Sequence, residues 1–176
     1  MSGARTETTI AAQAGAGERA VDWEHAYVLH GPALLRYLRR LVADSAAAED
    51  LMQDTFERAV RATRVPEPTD LRPWLYRIAT NLAVYHLRRR RRFAFLPFSG
   101  NEGEERTPFD AEGDLVRRAL RAIPAEQAAV LVLRLHERFS RAEIAQLIGV
   151  SERTVKERLE RGRESFARAY RRQVDG

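Results

Sequence analysis

The segment Ser140–Lys156 constrains the fold of this chain more than any other. Ser140-Arg141-Ala142-Glu143 has capping-box spacing: a hydroxyl accepts from the backbone amide three residues on, and the carboxylate there returns the bond. Ile144, Leu147 and Ile148 supply one apolar stripe, Ala145 is small enough to let a second helix approach, and Gly149 falls where a left-handed residue ends a helix. Ser151 then starts another helix, in which Val155 and Leu159 lock the crossing. Two helices joined in this way form a helix-turn-helix, whose second helix enters the DNA major groove. A generic helical hairpin has the same apolar spacing; the caps, the turn glycine and the basic exposed face favour the DNA-binding form.

The exposed face of that second helix carries the candidate base readers. Arg153 suits a guanine edge, Lys156 a base or a phosphate, and Glu157 the amino group of cytosine. Ser151 leaves nearby amides available to a phosphate, Thr154 either binds phosphate or favours the first turn, and Arg161 reaches phosphate or stays solvated.

Helical periodicity extends over the rest of the chain, and neither half shows convincing strand alternation. Asp22 caps a first helix with Trp23, Tyr27, Leu34, Leu38 and Leu41 near helical spacing, which Gly31-Pro32 is expected to kink or divide. A second helix begins at Asp44–Ser45, places Glu49 and Asp50 in its first turns, and has Met52, Phe56, Ala59 and Val60 as its stripe. Pro66 and Pro68 end it. A third follows, with Leu71, Leu75, Ile78, Leu82 and Tyr85 on one face, and runs into five consecutive arginines, Arg88–Arg92. Pro97, Gly100, Asn101, Gly103 and Pro108 mark a linker, and helices resume with Leu115, Ala119 and Leu120. The expectation is an all-α chain of two small helical domains joined by a flexible acidic linker, the second ending in the helix-turn-helix. Its parts are a disordered tail over 1–20, a helical domain over 21–93, a linker over 94–113 and a second domain over 114–176.

Charge is distributed in blocks. Residues 72–92 hold seven Arg and no acid, residues 93–114 hold six acids against one Arg, and residues 115–176 hold fourteen basic against eight acidic groups. Two positive blocks separated by an acidic spacer are candidate phosphate-facing surfaces. The spacer serves for solubility, passes through a basic channel, or keeps the basic modules apart. In the third helix the Arg run suits phosphates, and Trp74, Tyr76 and Tyr85 can stack on unpaired bases. For Trp74 the competing reading is core, because aromatic residues at helical spacing are usually core.

Other classes are disfavoured. The chain has no Cys, which removes disulfides, thiolate-held zinc and thiol nucleophiles and fits the cytoplasm. No apolar run approaches the length needed to span a bilayer, and the N-terminus does not read as a signal peptide, so no direct membrane insertion is expected. His136-Glu137 lacks the zinc-protease pattern, and no phosphate-binding glycine loop or dinucleotide motif appears, so neither an enzyme nor a cofactor is expected.

Three stretches carry a family resemblance. Ala48-Glu49-Asp50-Leu51-Met52-Gln53-Asp54-Thr55-Phe56-Glu57-Arg58-Ala59 resembles region 2.2 of the sigma-70 superfamily. Arg72-Pro73-Trp74-Leu75-Tyr76-Arg77-Ile78-Ala79-Thr80-Asn81-Leu82-Ala83, with His86-Leu87-Arg88-Arg89, resembles regions 2.3 and 2.4. Ile123-Pro124-Ala125-Glu126-Gln127 with the helix-turn-helix resembles region 4, and the ordered set is similar to the extracytoplasmic-function sigma factors. The resemblance implies an RNA polymerase subunit that recognises promoters, with a stand-alone helix-turn-helix regulator as the alternative. It implies that Ser151, Arg153, Thr154, Lys156, Glu157 and Arg161 meet the −35 element, and that Trp74, Tyr76, Asn81, Tyr85, Arg88 and Arg89 meet the −10 element. Glu49, Asp50, Gln53, Asp54 and Glu57 become the polar candidates for docking on core RNA polymerase. The loop from about Arg61 to Asp70 matches the pocket for a flipped −10 base, and Glu102, Glu104, Glu105, Asp110, Glu112 and Asp114 are candidates for mimicking nucleic acid near the polymerase cleft. Promoter DNA and an anti-sigma factor are the further partners implied.

Overall fold

The computed structural model describes residues 21–93 and 111–175. The expected tail over 1–20 and most of the expected linker, with its acids before Ala111, lie outside the described residues. Everything described is helical or connecting: α1 (Trp23–Val42), α2 (Ser45–Val60), a 3-10 turn (Pro68–Asp70), α3 (Leu71–Phe93), α4 (Ala111–Ala122), α5 (Ala125–Leu135), α6 (Arg141–Ile148) and α7 (Glu152–Val174). Helix α4 starts at Ala111, inside the segment expected to be linker.

The starts of the helices obey local chemistry. Asp22 accepts from the His25 amide at 3.0 Å and Asp44 from the Ala47 amide at 3.0 Å, so each carboxylate satisfies an amide that a helix start leaves without a partner. Glu49 and Asp50 sit in the second turn of α2.

Pro32 does not divide α1: the helix is continuous over its 20 residues. A mid-helix proline costs about 3 kcal/mol, but Leu34, Tyr37, Leu38, Leu41 and Val42 beyond it are all fully buried, and their packing outweighs that cost. Gly31 is buried beside it, with the Tyr27 ring 3.9 Å from where a Cβ would stand.

Helices α1, α2 and α3 pack on one another, and α7 is the element against which α4, α5 and α6 pack. Gly162 lets α7 approach α5 closely: a Cβ there would meet the Leu131 side chain at 3.3 Å. The two halves do not stand apart. One continuous cluster of buried side chains runs from Ala26 to Leu159, with α1 and α3 packed against α5 and α3 against α6.

Candidate nucleic-acid interface

The helix-turn-helix is built as its residues dictate. Ser140 and Glu143 form the reciprocal capping box, the Glu143 amide donating to Ser140 Oγ at 3.1 Å and the Ser140 amide to Glu143 Oε2 at 2.7 Å. Those two groups, the hydroxyl first, hold the Glu143 carboxyl below the ordinary glutamate value. Gly149 has φ +70°, the left-handed conformation that turns the chain into α7. Ser151 caps α7 by accepting from the Thr154 amide at 3.1 Å, and the two hydroxyls lie 2.9 Å apart.

Arg153, Lys156, Glu157, Glu160 and Arg161 then recur at helical spacing on the face opposite the buried Val155 and Leu159. The Arg153 side chain is 88% exposed, and its Nε donates to Glu157 Oε1 at 3.0 Å. Arg161 approaches the other oxygen of Glu157 at 3.8 Å, and Lys156 lies 3.8 Å from Glu160. Exposed pairs of this kind contribute about 0.3–0.5 kcal/mol each, so the face is arranged in advance but yields readily to a DNA ligand.

On α3 the sequence candidates separate. Asn81, Tyr85, Arg88 and Arg89 are exposed, Tyr85 at 62%. Trp74 is half-buried, its ring 6.5 Å from that of Trp23. Tyr76 is the correction: it is 1% exposed, with ring centroids 5.2 Å from both Tyr37 and Phe139, so it is a core residue and not a base-stacking one. Arg77 was not singled out in the sequence; it is exposed one turn before Asn81 and shares a surface groove with it and Trp74. Its spacing of four from Asn81 was the available signal.

The five consecutive arginines do not act as one block. At 3.6 residues per turn they point around the whole circumference of α3. Arg90 pairs with Asp44 at 3.5 Å, Arg88 pairs with Glu126 of α5, and Arg91 donates to the carbonyl oxygens of Ile123 and, at 2.8 Å, Arg121.

Further contacts tie α3 to the C-terminal half at its other end. Tyr76 donates its hydroxyl to Glu137 Oε2 at 2.6 Å, and Arg72 donates to the Glu137 carbonyl at 3.1 Å with its guanidinium 4.3 Å from the Phe139 ring centroid. Burial first, then the Glu137 carboxylate, pushes the Tyr76 hydroxyl well above the ordinary tyrosine value, which keeps it a donor. Arg138, with φ +60°, makes the sharp turn that delivers Glu137 and Phe139 to α3. At the other end, burial raises the Glu126 carboxyl, but its own amide, Arg88 and Arg158 together hold it below the ordinary value.

The α2 candidates Glu49, Asp50, Gln53, Asp54 and Glu57 are all exposed. All but Asp54 rim a groove floored by Tyr27, Met52, Phe56 and Val60. Glu49 pairs with Arg39 at 2.7 Å, and Gln53 donates to Glu57 at 3.1 Å. Apolar floor, half-exposed aromatic and acidic rim are the ingredients of a protein-docking surface. Of the linker acids, Asp114 lies in α4 and pairs with Arg117. Among the described residues no helix is long and apolar enough to cross a membrane, and no cluster of three or more His, Asp or Glu side chains is arranged to hold a metal ion.

Comparison with known proteins agrees with this arrangement. Residues 26–93 match the family model for sigma-70 region 2, and residues 113–166 match that for sigma-70, region 4. The ECF RNA polymerase sigma factor SigL of Mycobacterium tuberculosis is 36% identical over 144 residues, 76% of this chain and 80% of that protein. The ECF RNA polymerase sigma factor SigE of Mycolicibacterium smegmatis is 32% identical over 154 residues, which cover 82% of this chain but 60% of the relative's length. Among solved structures, the sigma factor RpoE of Bartonella quintana in complex with the anti-sigma factor NepR superimposes with a TM-score of 0.63 at 23% identity, over 85% of this chain and 97% of that one, a likeness of fold. Two sigma-70 regions in order, and a relative matched along four-fifths of its length, place this chain in the extracytoplasmic-function group of the sigma-70 family.

Proposed function

We propose that this chain directs core RNA polymerase to promoters, reading the −35 element with α7 and holding the opened −10 element with α3. The observation that carries the reading is the pairing, in one chain, of a capped helix-turn-helix with a second basic helix whose exposed face bears Asn81, Tyr85, Arg88 and Arg89. A regulator that only binds duplex DNA needs the first of these and not the second.

The division of labour follows from the side chains. Arg153, Lys156, Glu157 and Arg161, together with Ser151 and Thr154 at the start of α7, meet duplex DNA at −35 by edge readout and phosphate contact. On α3, Tyr85 offers an exposed ring to an unpaired base, Asn81 a two-way amide, and Arg88 and Arg89 their charge to the strand; Trp74 joins them from the half-buried margin. Taking a base out of the stack costs a few kcal/mol, on the order of what one aromatic stack and its phosphate contacts return. The α2 groove, with Glu49, Asp50, Gln53 and Glu57 on its rim and Asp54 adjacent in sequence, docks on core polymerase. The acids of the 94–113 segment follow a basic path near the polymerase active centre. Catalysis of RNA synthesis belongs to the polymerase, this chain supplies none, and its place of action is the cytoplasm. An anti-sigma factor that covers one or both halves is its regulatory partner, as NepR is for RpoE.

Runoff transcription with purified core polymerase and a randomised promoter library tests the reading. Addition of the chain is expected to create start sites preceded by enriched −35 and −10 elements. Sequence-selective binding to free DNA, with start sites unchanged, would instead make the chain a helix-turn-helix regulator.

A further inference from the structure

We infer that the groove between the α4–α5 turn and the last turns of α7 binds a small phosphorylated metabolite that carries a hydroxyl near its phosphate, as a sugar phosphate or a nucleotide does. The inference is independent of the promoter reading, because every residue it uses lies in the C-terminal half and away from the DNA-reading start of α7.

The groove holds about 320 Å3, with Ile123 and Pro124 on one wall and Ser165, Arg168, Arg172 and Gln173 on the other. That volume lies at the lower end of the range for small-molecule sites. Arg168 and Arg172 stand one turn apart, about 25–30 Å along the helix from Ser151. The two halves of α7 treat their charges differently. In the first half, Arg153, Lys156 and Arg161 each have a glutamate one turn away. After Glu164 there is no acid until Asp175, and among the described residues neither Arg168 nor Arg172 forms an ion pair. Arg168 donates instead to Ser165 Oγ at 3.3 Å, which leaves the Ser165 O–H free to donate in turn. Two guanidiniums and a hydroxyl on one wall match the oxygens of a phosphate. The helix dipole favours cations at this end of α7 and accounts for Arg171 as well, but it does not account for a groove walled by the other two. Nor does it account for Gln173, whose Oε1 is screened from solvent and accepts no hydrogen bond. A buried amide oxygen without a donor is costly, and rotation of this side chain into the groove exchanges that position for a bond to a ligand hydroxyl. Ile123 and Pro124 offer an apolar surface to the carbon skeleton between hydroxyl and phosphate. Inorganic phosphate would fill the arginine end and leave that surface uncovered.

Amide chemical-shift titration of the full chain tests the site, with ribose 5-phosphate, adenosine 5′-monophosphate, ribose and inorganic phosphate as probes. At least one of the two organic phosphates is expected to saturate with a Kd of about 1 mM or below, the scale for ligands of this size. The shifts are expected to centre on Ile123 and on Ser165 to Gln173, and a tighter nucleotide or a tighter sugar phosphate names the ligand class. Ribose is expected to give no shifts, and inorganic phosphate to bind at least about tenfold more weakly. The Arg168→Gln/Arg172→Gln variant is expected to weaken the organic phosphates by about tenfold or more. The Arg163→Gln/Arg171→Gln variant removes the same charge from exposed positions outside the groove and is expected to bind as the parent does. Gln173→Leu is expected to weaken ribose 5-phosphate and leave inorganic phosphate unchanged. Failure of both organic phosphates to saturate the parent overturns the inference, and that arm does not depend on any variant folding. Inorganic phosphate binding as tightly as ribose 5-phosphate also overturns it, leaving an adventitious ion only. So does equal weakening by the two arginine pairs, which would reduce the effect to general attraction by a basic helix.

Discussion

Gly149→Ala isolates the energetic contribution of the turn between the two DNA-reading helices. Gly149 has φ +70°, and a Cβ built there meets no atom within 4 Å, so the substitution adds no clash and removes no contact. What remains is the backbone term: an alanine in the left-handed region costs about 1–2 kcal/mol. With a urea dependence of about 1–3 kcal/mol per molar, the unfolding midpoint is expected to fall by about 0.3–2 M. Gly149→Asn is expected to recover a good part of that loss, because asparagine tolerates the left-handed region better than alanine. Residual stability keeps the protein folded at 25 °C, so promoter selection there is expected to be unchanged while the midpoint falls. Urea titrations followed by circular dichroism, with the three proteins side by side, supply the measurement. An alanine variant as stable as the parent, or an asparagine variant no better than alanine, refutes the reasoning, since open space around Gly149 leaves no steric effect to invoke.

Thr80 and Tyr37 form a second, buried test: the two hydroxyls lie 2.8 Å apart, and Thr80 also donates to the Tyr76 carbonyl at 2.6 Å. Thr80→Val leaves the Tyr37 hydroxyl buried without a partner and is expected to cost about 1–3 kcal/mol, most of it restored on adding Tyr37→Phe; equal losses in single and double variants would contradict this. Arg153→Ala is expected to cost about 1–3 kcal/mol of discrimination at one −35 position, with no more than about 0.5 kcal/mol of stability lost with the Glu157 pair. Selection from a −35 library reads it, and a uniform loss across sequences would make Arg153 a phosphate anchor. Burial first, then Arg90 and Arg89, lowers the pKa of His86 against the opposing pull of Asp44 and Asp50. The unfolded chain therefore binds this proton more readily than the folded one, and His86 contributes stability above about pH 6.5 that is lost as pH falls below it. His86→Gln is expected to flatten that part of a stability-versus-pH curve, and an unaltered slope would remove His86 as its source.

The parts of the fold legible in the sequence were those decided within a few residues. Asp22, Asp44, Ser140 and Ser151 cap as their side chains dictate, and Gly149 takes the conformation that only glycine adopts cheaply. What escaped was decided by partners far along the chain. Pro32 remains inside α1 because residues on α2 and α3 bury the turns that follow it. Tyr76 read as a base-stacking ring, and it is buried by the rings of Tyr37 and Phe139, both far from it along the chain. The arginine run read as one charged surface because linear proximity hides the 100° step of a helix; Arg90 and Arg91 reach acceptors that no local pattern announces. The candidate DNA face was thus legible in its residue types, while the internal partners of several members were not.

Asp44 divides its carboxylate between two tasks. One oxygen fixes the first turn of α2 through the Ala47 amide at 3.0 Å, and the other pairs with Arg90 of α3 at 3.5 Å. Helix α2, with its acid-rimmed groove, and helix α3, with its arginine run, are therefore indexed to each other through a single side chain, like two hands of a clock pinned at one arbor. A slide of α2 along α3 breaks the ion pair and leaves the cap intact, because Asp44 travels with its own helix.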